Sequence, residues 1–90
     1  MVGPDTVPRR RLGARVRKYR GKLFVATADR ALELDECAEF VFRQVDGSRT
    51  VRQIGEQVAV TYGISLDRAV RDSAGLLVEL AGHQIMDIDG

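Results

Sequence analysis

Between Ala31 and Asp46 the spacing of apolar residues changes its period once. Leu32 and Leu34 alternate with Ala31 and Glu33, the two-residue repeat of a strand with one buried face. From Asp35 onward Ala38, Val41, Phe42 and Val45 recur at the intervals that place them on one stripe of a helix. Asp35 is suited to cap that helix, because its carboxylate can accept from a free amide of the first turn. Glu36 and Glu39 then meet the positive end of the helix dipole, a commoner use of two early glutamates than acid–base chemistry. Asp46-Gly47 predicts the stop, with glycine supplying left-handed backbone. A strand that enters a helix without a loop holds one sheet edge against the helices. That edge is the candidate working surface.

The flanking pattern supplies the other elements. Ala14 to Tyr19 alternates weakly, Arg20-Gly21 reads as a turn, and Lys22 to Thr27 is a stronger strand. Ala28-Asp29-Arg30 must then reverse the chain into Ala31–Leu34 without a glycine. Downstream, Thr50 and Gln53 have the spacing of a capping box, opening a helix whose apolar face is Val51, Ile54, Val58 and Tyr62 and whose end is Tyr62-Gly63. Ser65 caps a third helix, with Leu66, Val70, Ala74 and Leu77 as its core stripe, Leu80 and Ala81 extending it, and Gly82 closing it. Ile85 to Ile88 predicts a short closing strand, with Asp87 and Asp89 as a solvated terminus. The order β-β-β-α-α-α with a short C-terminal strand indicates an α+β fold of the winged helix-turn-helix type. Residues 1–12 contain both prolines, Pro4 and Pro8, and no period, which predicts a flexible basic arm ahead of one domain over residues 13–90.

Charge sharpens this division. The formal net charge is only +1, yet residues 1–30 carry nine Lys and Arg against two acids, and residues 31–90 carry five against eleven. Arg9-Arg10-Arg11 is open to a nucleic-acid or membrane-surface role, but a solvated tail is the commoner use of such a run. One cysteine, Cys37, excludes an internal disulfide, and one histidine, His83, argues against a zinc site; no cofactor is expected. No membrane span or signal-type apolar run is present, so the expected location is the cytoplasm.

Four segments, Leu23-Phe24-Val25, Leu32-x-Leu34-Asp35-x-x-Ala38, Val45-Asp46-Gly47 and Thr50-Val51-x-x-Ile54, follow one another in this order. Together they resemble the peptide chaperones of pyrroloquinoline quinone biosynthesis (PqqD-like), also called RiPP precursor-peptide recognition elements. The resemblance runs from about Arg15 to Ile88. It departs from the family where Asp35 replaces a frequent Asn, where Arg30 and Gln84 replace frequent glycines, and where Gly82 comes two residues early.

The resemblance implies a non-catalytic module. The leader of a ribosomally made precursor peptide would add as a strand to the free edge of the third strand and pack against the third helix. It would thereby be presented to a modifying enzyme, often a radical S-adenosylmethionine protein. Such pairing draws affinity from main-chain hydrogen bonds and specificity from the groove. The edge would be Ala31, Leu32, Glu33 and Leu34. On the helix, one flank offers Ala69 and Leu76 with Asp72 behind them, and the other offers Arg71 and Val78 with Asp67. The first is favoured, with Arg68 at its rim, and Arg68 and Arg71 are both candidates to meet leader carboxylates.

The rival function is that of a DNA-binding winged helix. It needs a basic recognition helix. The third helix has Arg68 and Arg71 against Asp67, Asp72 and Glu79, so nucleic acid is disfavoured. A Cys37–His83 catalytic pair is disfavoured too, because it lacks an orienting third group, although a thiol in a first helical turn can have a lowered pKa.

Overall fold

The computed structural model describes residues 2–88; the expected solvated Asp89 and the arm's first residue lie outside them. Five strands and three helices follow in the order β1 (Arg9–Arg10), β2 (Arg15–Tyr19), β3 (Lys22–Ala26), β4 (Ala31–Leu34), α1 (Glu36–Gln44), α2 (Val51–Tyr62), α3 (Leu66–Gly82) and β5 (Met86–Asp87). The expected α+β order is present, with one further strand, β1, ahead of it. β2, β3 and β4 form an antiparallel sheet in that order, and β1 pairs with β5 in a separate ribbon.

Local chemistry explains the boundaries. Arg20 and Gly21 both take positive φ, 50° and 79°, the backbone that a two-residue hairpin between twisted strands requires. Asp35 caps α1 through Oδ1, which accepts from the Ala38 amide at 2.8 Å. At α2 the capping box is complete: Thr50 Oγ1 accepts from the Gln53 amide at 3.1 Å, and Gln53 Oε1 accepts from the Thr50 amide at 2.8 Å. Gly63 ends α2 in the left-handed region. The end of α3 differs from expectation. Gly82 stays helical, and Gln84 takes the left-handed turn at φ 64°, so a non-glycine residue occupies the position that favours glycine.

The core lies between the helices and the inner face of the sheet, where Leu23, Val25 and Leu34 meet Val41, Phe42, Ile54, Val58 and Leu77. α3 is rotated relative to the stripe expected for it. Its buried residues are Ala69, Ser73, Leu77 and Leu80, while Val70 and Ala74 are only partly covered. The reason is close approach: small Ala69 and Ser73 sit at the packed centre, so the most apolar arc of the sequence is not the most covered one. Where α2 and α3 cross, Gly55 has Val70 against it. A Cβ there would lie 2.6 Å from Val70 Cγ2 and 2.9 Å from its Cα.

The N-terminal segment contradicts the expectation of an arm detached from the domain. Pro8 is buried. Arg9 and Arg10 pair with Asp87 and Met86. The Val51 and Arg52 amides, two of the free donors at the start of α2, donate to Thr6 and Pro4 carbonyls at 2.9 Å each. With Thr50 closing the Gln53 amide, the first turn of α2 is satisfied largely by a segment more than forty positions upstream. Arg10 lies 4.2 Å over the Phe42 ring and donates from Nη2 to the Phe42 carbonyl at 3.0 Å, at the negative end of the α1 dipole. Asp87, expected to be solvated, has Arg11 Nη2 3.9 Å away.

Two stability outcomes follow, both measured by urea unfolding. Arg10→Ala should cost about 1–2 kcal/mol, since it removes a charged hydrogen bond and a stacked cation, whereas exposed Arg9→Ala should cost almost nothing. Gly55→Ala should destabilise by about 1–2 kcal/mol net, because its added methyl meets backbone and the ~1 kcal/mol gain in helix propensity does not offset that clash.

Candidate functional site

Among the described residues, β4 has a strand partner on one side only. Its register sets which backbone groups are free. The Thr27 amide donates to the Arg30 carbonyl at 2.8 Å, so this opposed pair is hydrogen-bonded. Alternation along an antiparallel ladder then makes Val25↔Leu32 and Leu23↔Leu34 the next bonded pairs. Leu32 and Leu34 therefore spend their main-chain groups on β3. Ala31 and Glu33 turn theirs to the open edge. Side chains alternate in the same way: Leu34 is 5% exposed and Leu32 partly buried on the helix side, while Ala31 and Glu33 are exposed on the outer face.

One contact and one electrostatic influence relate α3 to the two ends of β4. At the start of β4, Arg30 Nη1 approaches His83 Nδ1 to 3.3 Å. At its end, Cys37 in the first turn of α1 feels the charge of Asp72. Asp72, Leu76, Glu79 and His83, spaced by four, three and four, share one line along α3 and its C-terminal cap. Leu76 is partly buried against the core and forms the apolar part of that line. Arg68 extends it, its Nε 3.6 Å from Asp72 Oδ2.

Ala31, Leu32, Glu33 and Leu34 form the edge strand, while Asp72 and Arg68 pair on α3 and Leu76 lies one helical turn beyond Asp72. Ala69 and Arg71 are not among them. Ala69 is 0% exposed and belongs to the core, because the rotation of α3 turns it inward. Arg71 lies on the opposite flank, in a hollow of about 400 Å³ beside Val2, Pro4 and Arg52. Sequence reasoning missed Arg30 and His83, which approach each other at the start of β4.

The two ends of the edge differ in charge. Arg30 and His83 stand at the start of β4. Asp35, Glu36 and Asp72 surround its end, where burial first, and then these three carboxylates, push the Cys37 thiol up. The Tyr62 phenol is raised as well, by burial and then by Cys37, Glu36 and Asp35. The Cys37 thiol is therefore shifted up, by burial and then by these carboxylates, where a position in a first helical turn offered the option of a lowered pKa. Cys37 and His83 also stand at opposite ends of β4, about 10 Å of extended chain apart. Among the described residues no group of three or more His, Cys, Asp or Glu is placed to hold a metal ion, and no helix is long and apolar enough to cross a membrane. What the arrangement can do is hold an extended chain, with main-chain donors and acceptors at the edge, an apolar contact at Leu76 and charges at both ends.

The family model for coenzyme PQQ synthesis protein D matches residues 9–85. Among solved structures, the chain is similar to the solution NMR structure of the PqqD truncation of Methylobacterium extorquens PqqCD, described as a functional, stand-alone RiPP recognition element. The two share 29% identity at a TM-score of 0.81, over 97% of this chain and 95% of that one. No curated protein matches.

The acidic end of the groove can be tested without a ligand. Cys37 should react slowly with a thiol reagent at neutral pH, with the midpoint of its pH–rate profile above that of an ordinary thiol. Asp72→Asn should move the midpoint to lower pH, because it removes one of the charges that raise it. An unchanged midpoint would place Asp72 away from Cys37.

Proposed function

The chain belongs to the coenzyme PQQ synthesis protein D (PqqD) family, and from that premise we propose that it is a non-catalytic peptide-binding chaperone. It captures the leader of a ribosomally synthesised precursor peptide by strand addition to β4 and packing against α3. It then presents that peptide, in the cytoplasm, to a modifying enzyme, for which a radical S-adenosylmethionine protein is one candidate. The observation that carries this reading is the open edge of β4: by register, Ala31 and Glu33 aim main-chain groups away from β3. An added strand satisfies such groups with no demand on its own side chains, and Leu76 gives an apolar side chain its contact. The similarity to a stand-alone recognition element supports the same reading.

The register makes the test selective. The Glu33 amide points away from β3, so Glu33→Pro deletes an outward donor and leaves the internal ladder in place. The probe is a linear peptide enriched on the wild-type protein from a displayed random library, titrated calorimetrically. Glu33→Pro and Leu76→Asp should each weaken binding by about 2 kcal/mol or more, through a lost main-chain bond and through an unpaired charge in an apolar contact. Glu33→Ala and Arg52→Glu should bind like wild type. Should both critical variants, shown by circular dichroism to be folded, bind with undiminished affinity, the edge is not the site.

A further inference from the structure

Antiparallel pairing stacks Arg15, Ala26 and Ala31 in one row across the outer face of the sheet, with Arg17, Phe24 and Glu33 in the next. Two adjacent alanines leave a trough of about 390 Å³, walled by Phe24 and Tyr19 and closed at its far side by Arg15 and Arg17. The trough opens at Ala31, on the same edge strand whose main chain is free. Glu33 is already matched, with Lys22 Nζ 3.3 Å from its Oε2. Among the described residues neither guanidinium of Arg15 and Arg17 has a carboxylate partner, whereas Lys18, Lys22, Arg43, Arg49 and Arg68 each have one.

We infer that this trough is a second specificity pocket for the bound strand, and that it takes a glutamate-like side chain. The inference rests on strand addition to β4. In an added strand, the residue opposite Ala31 must point to the outer face, because side chains alternate and Ala31 does so. From that strand to β2 is three strand spacings, about 14 Å. A side chain laid over Ala31 packs its methylenes on that alanine, and its carboxylate meets guanidinia reaching back over Ala26 from β2. The neighbouring residues of the same strand face α3 instead. Alternate positions of the ligand are therefore read by two different surfaces, apolar at Leu76 and basic at Arg15 and Arg17.

The experiment is a pair of selections from one displayed library of random linear peptides, on the wild-type protein and on Arg15→Glu/Arg17→Glu. Wild type should enrich peptides with a carboxylate at one fixed spacing from the apolar residue that serves α3. The reversed protein should enrich Lys or Arg at that same spacing, and should bind a wild-type-selected peptide about tenfold more weakly at low salt. Arg15→Gln/Arg17→Gln should lose the acidic preference without gaining a basic one, which keeps the test valid if charge reversal disturbs β2. Equal acidic preference on all three proteins overturns the trough. If Glu33→Pro still abolishes enrichment in that case, the edge-strand reading stands without the trough. Enrichment of the same peptides on Glu33→Pro, or no enrichment on wild type, removes both.

Discussion

Asp35 is the constraint on which the working edge depends. Its extended backbone finishes β4, and its carboxylate takes the Ala38 amide at 2.8 Å to start α1. No slack exists between the two elements. With Leu34 buried on one side of that junction and Ala38 on the other, the strand is fixed in position while its outer main chain stays bare. A loop here would let the edge swing or fold back. A residue unable to cap would cost about 1 kcal/mol and loosen the register. The same junction gathers Asp35 and Glu36 beside Cys37, so the charge at one end of the groove is a by-product of the cap.

Much of this was legible because it rests on side-chain chemistry at short range. Thr50 with Gln53, Asp35 with Ala38, and Gly63 after Tyr62 are each decided within a turn of helix, and the structure repeats them. The position of β4 at the sheet edge followed from strand order. The phase of α3 did not. Apolar content favoured Leu66, Val70 and Ala74, yet burial went to Ala69 and Ser73, because helix approach is set by which residues are small where two helices cross. Gly55 against Val70 fixes that crossing, and a single glycine in a helix does not say which neighbour it will meet. The error placed Ala69 in the candidate site although it is buried, and kept Arg71 as a candidate although it lines a hollow beside Arg52.

The N-terminal segment was illegible for a different reason. It is held chiefly by carbonyls, those of Pro4 and Thr6 on α2, and by main-chain pairing of Arg9 and Arg10 with β5. Every residue has a carbonyl, so no period or composition marks the ones in use. Its one strong side-chain contact, Arg10 on Phe42, reads in sequence as part of a solvated basic run. Proline content argued for disorder, but Pro8 is buried, and prolines suit a strap that gives carbonyls and needs few donors. The basic half of the chain is thus partly structural, which removes Arg10 from any reckoning of a nucleic-acid surface.

The length of the edge limits what it can do alone. Only Ala31 and Glu33 face outward, and each offers one donor and one acceptor, so at most about four main-chain hydrogen bonds are available. At roughly 0.5–1.5 kcal/mol net apiece these sum to a few kcal/mol, against an association cost of at least about 4 kcal/mol. Main-chain pairing by itself would not hold a peptide, and for the same reason two copies of the chain gain little by pairing edge to edge. The surplus has to come from side chains. An added strand would present those alternately to α3 and to the outer face of the sheet. A short edge therefore ties affinity to sequence: it accepts any extended backbone weakly, and only a peptide that fills the flanking surfaces binds well.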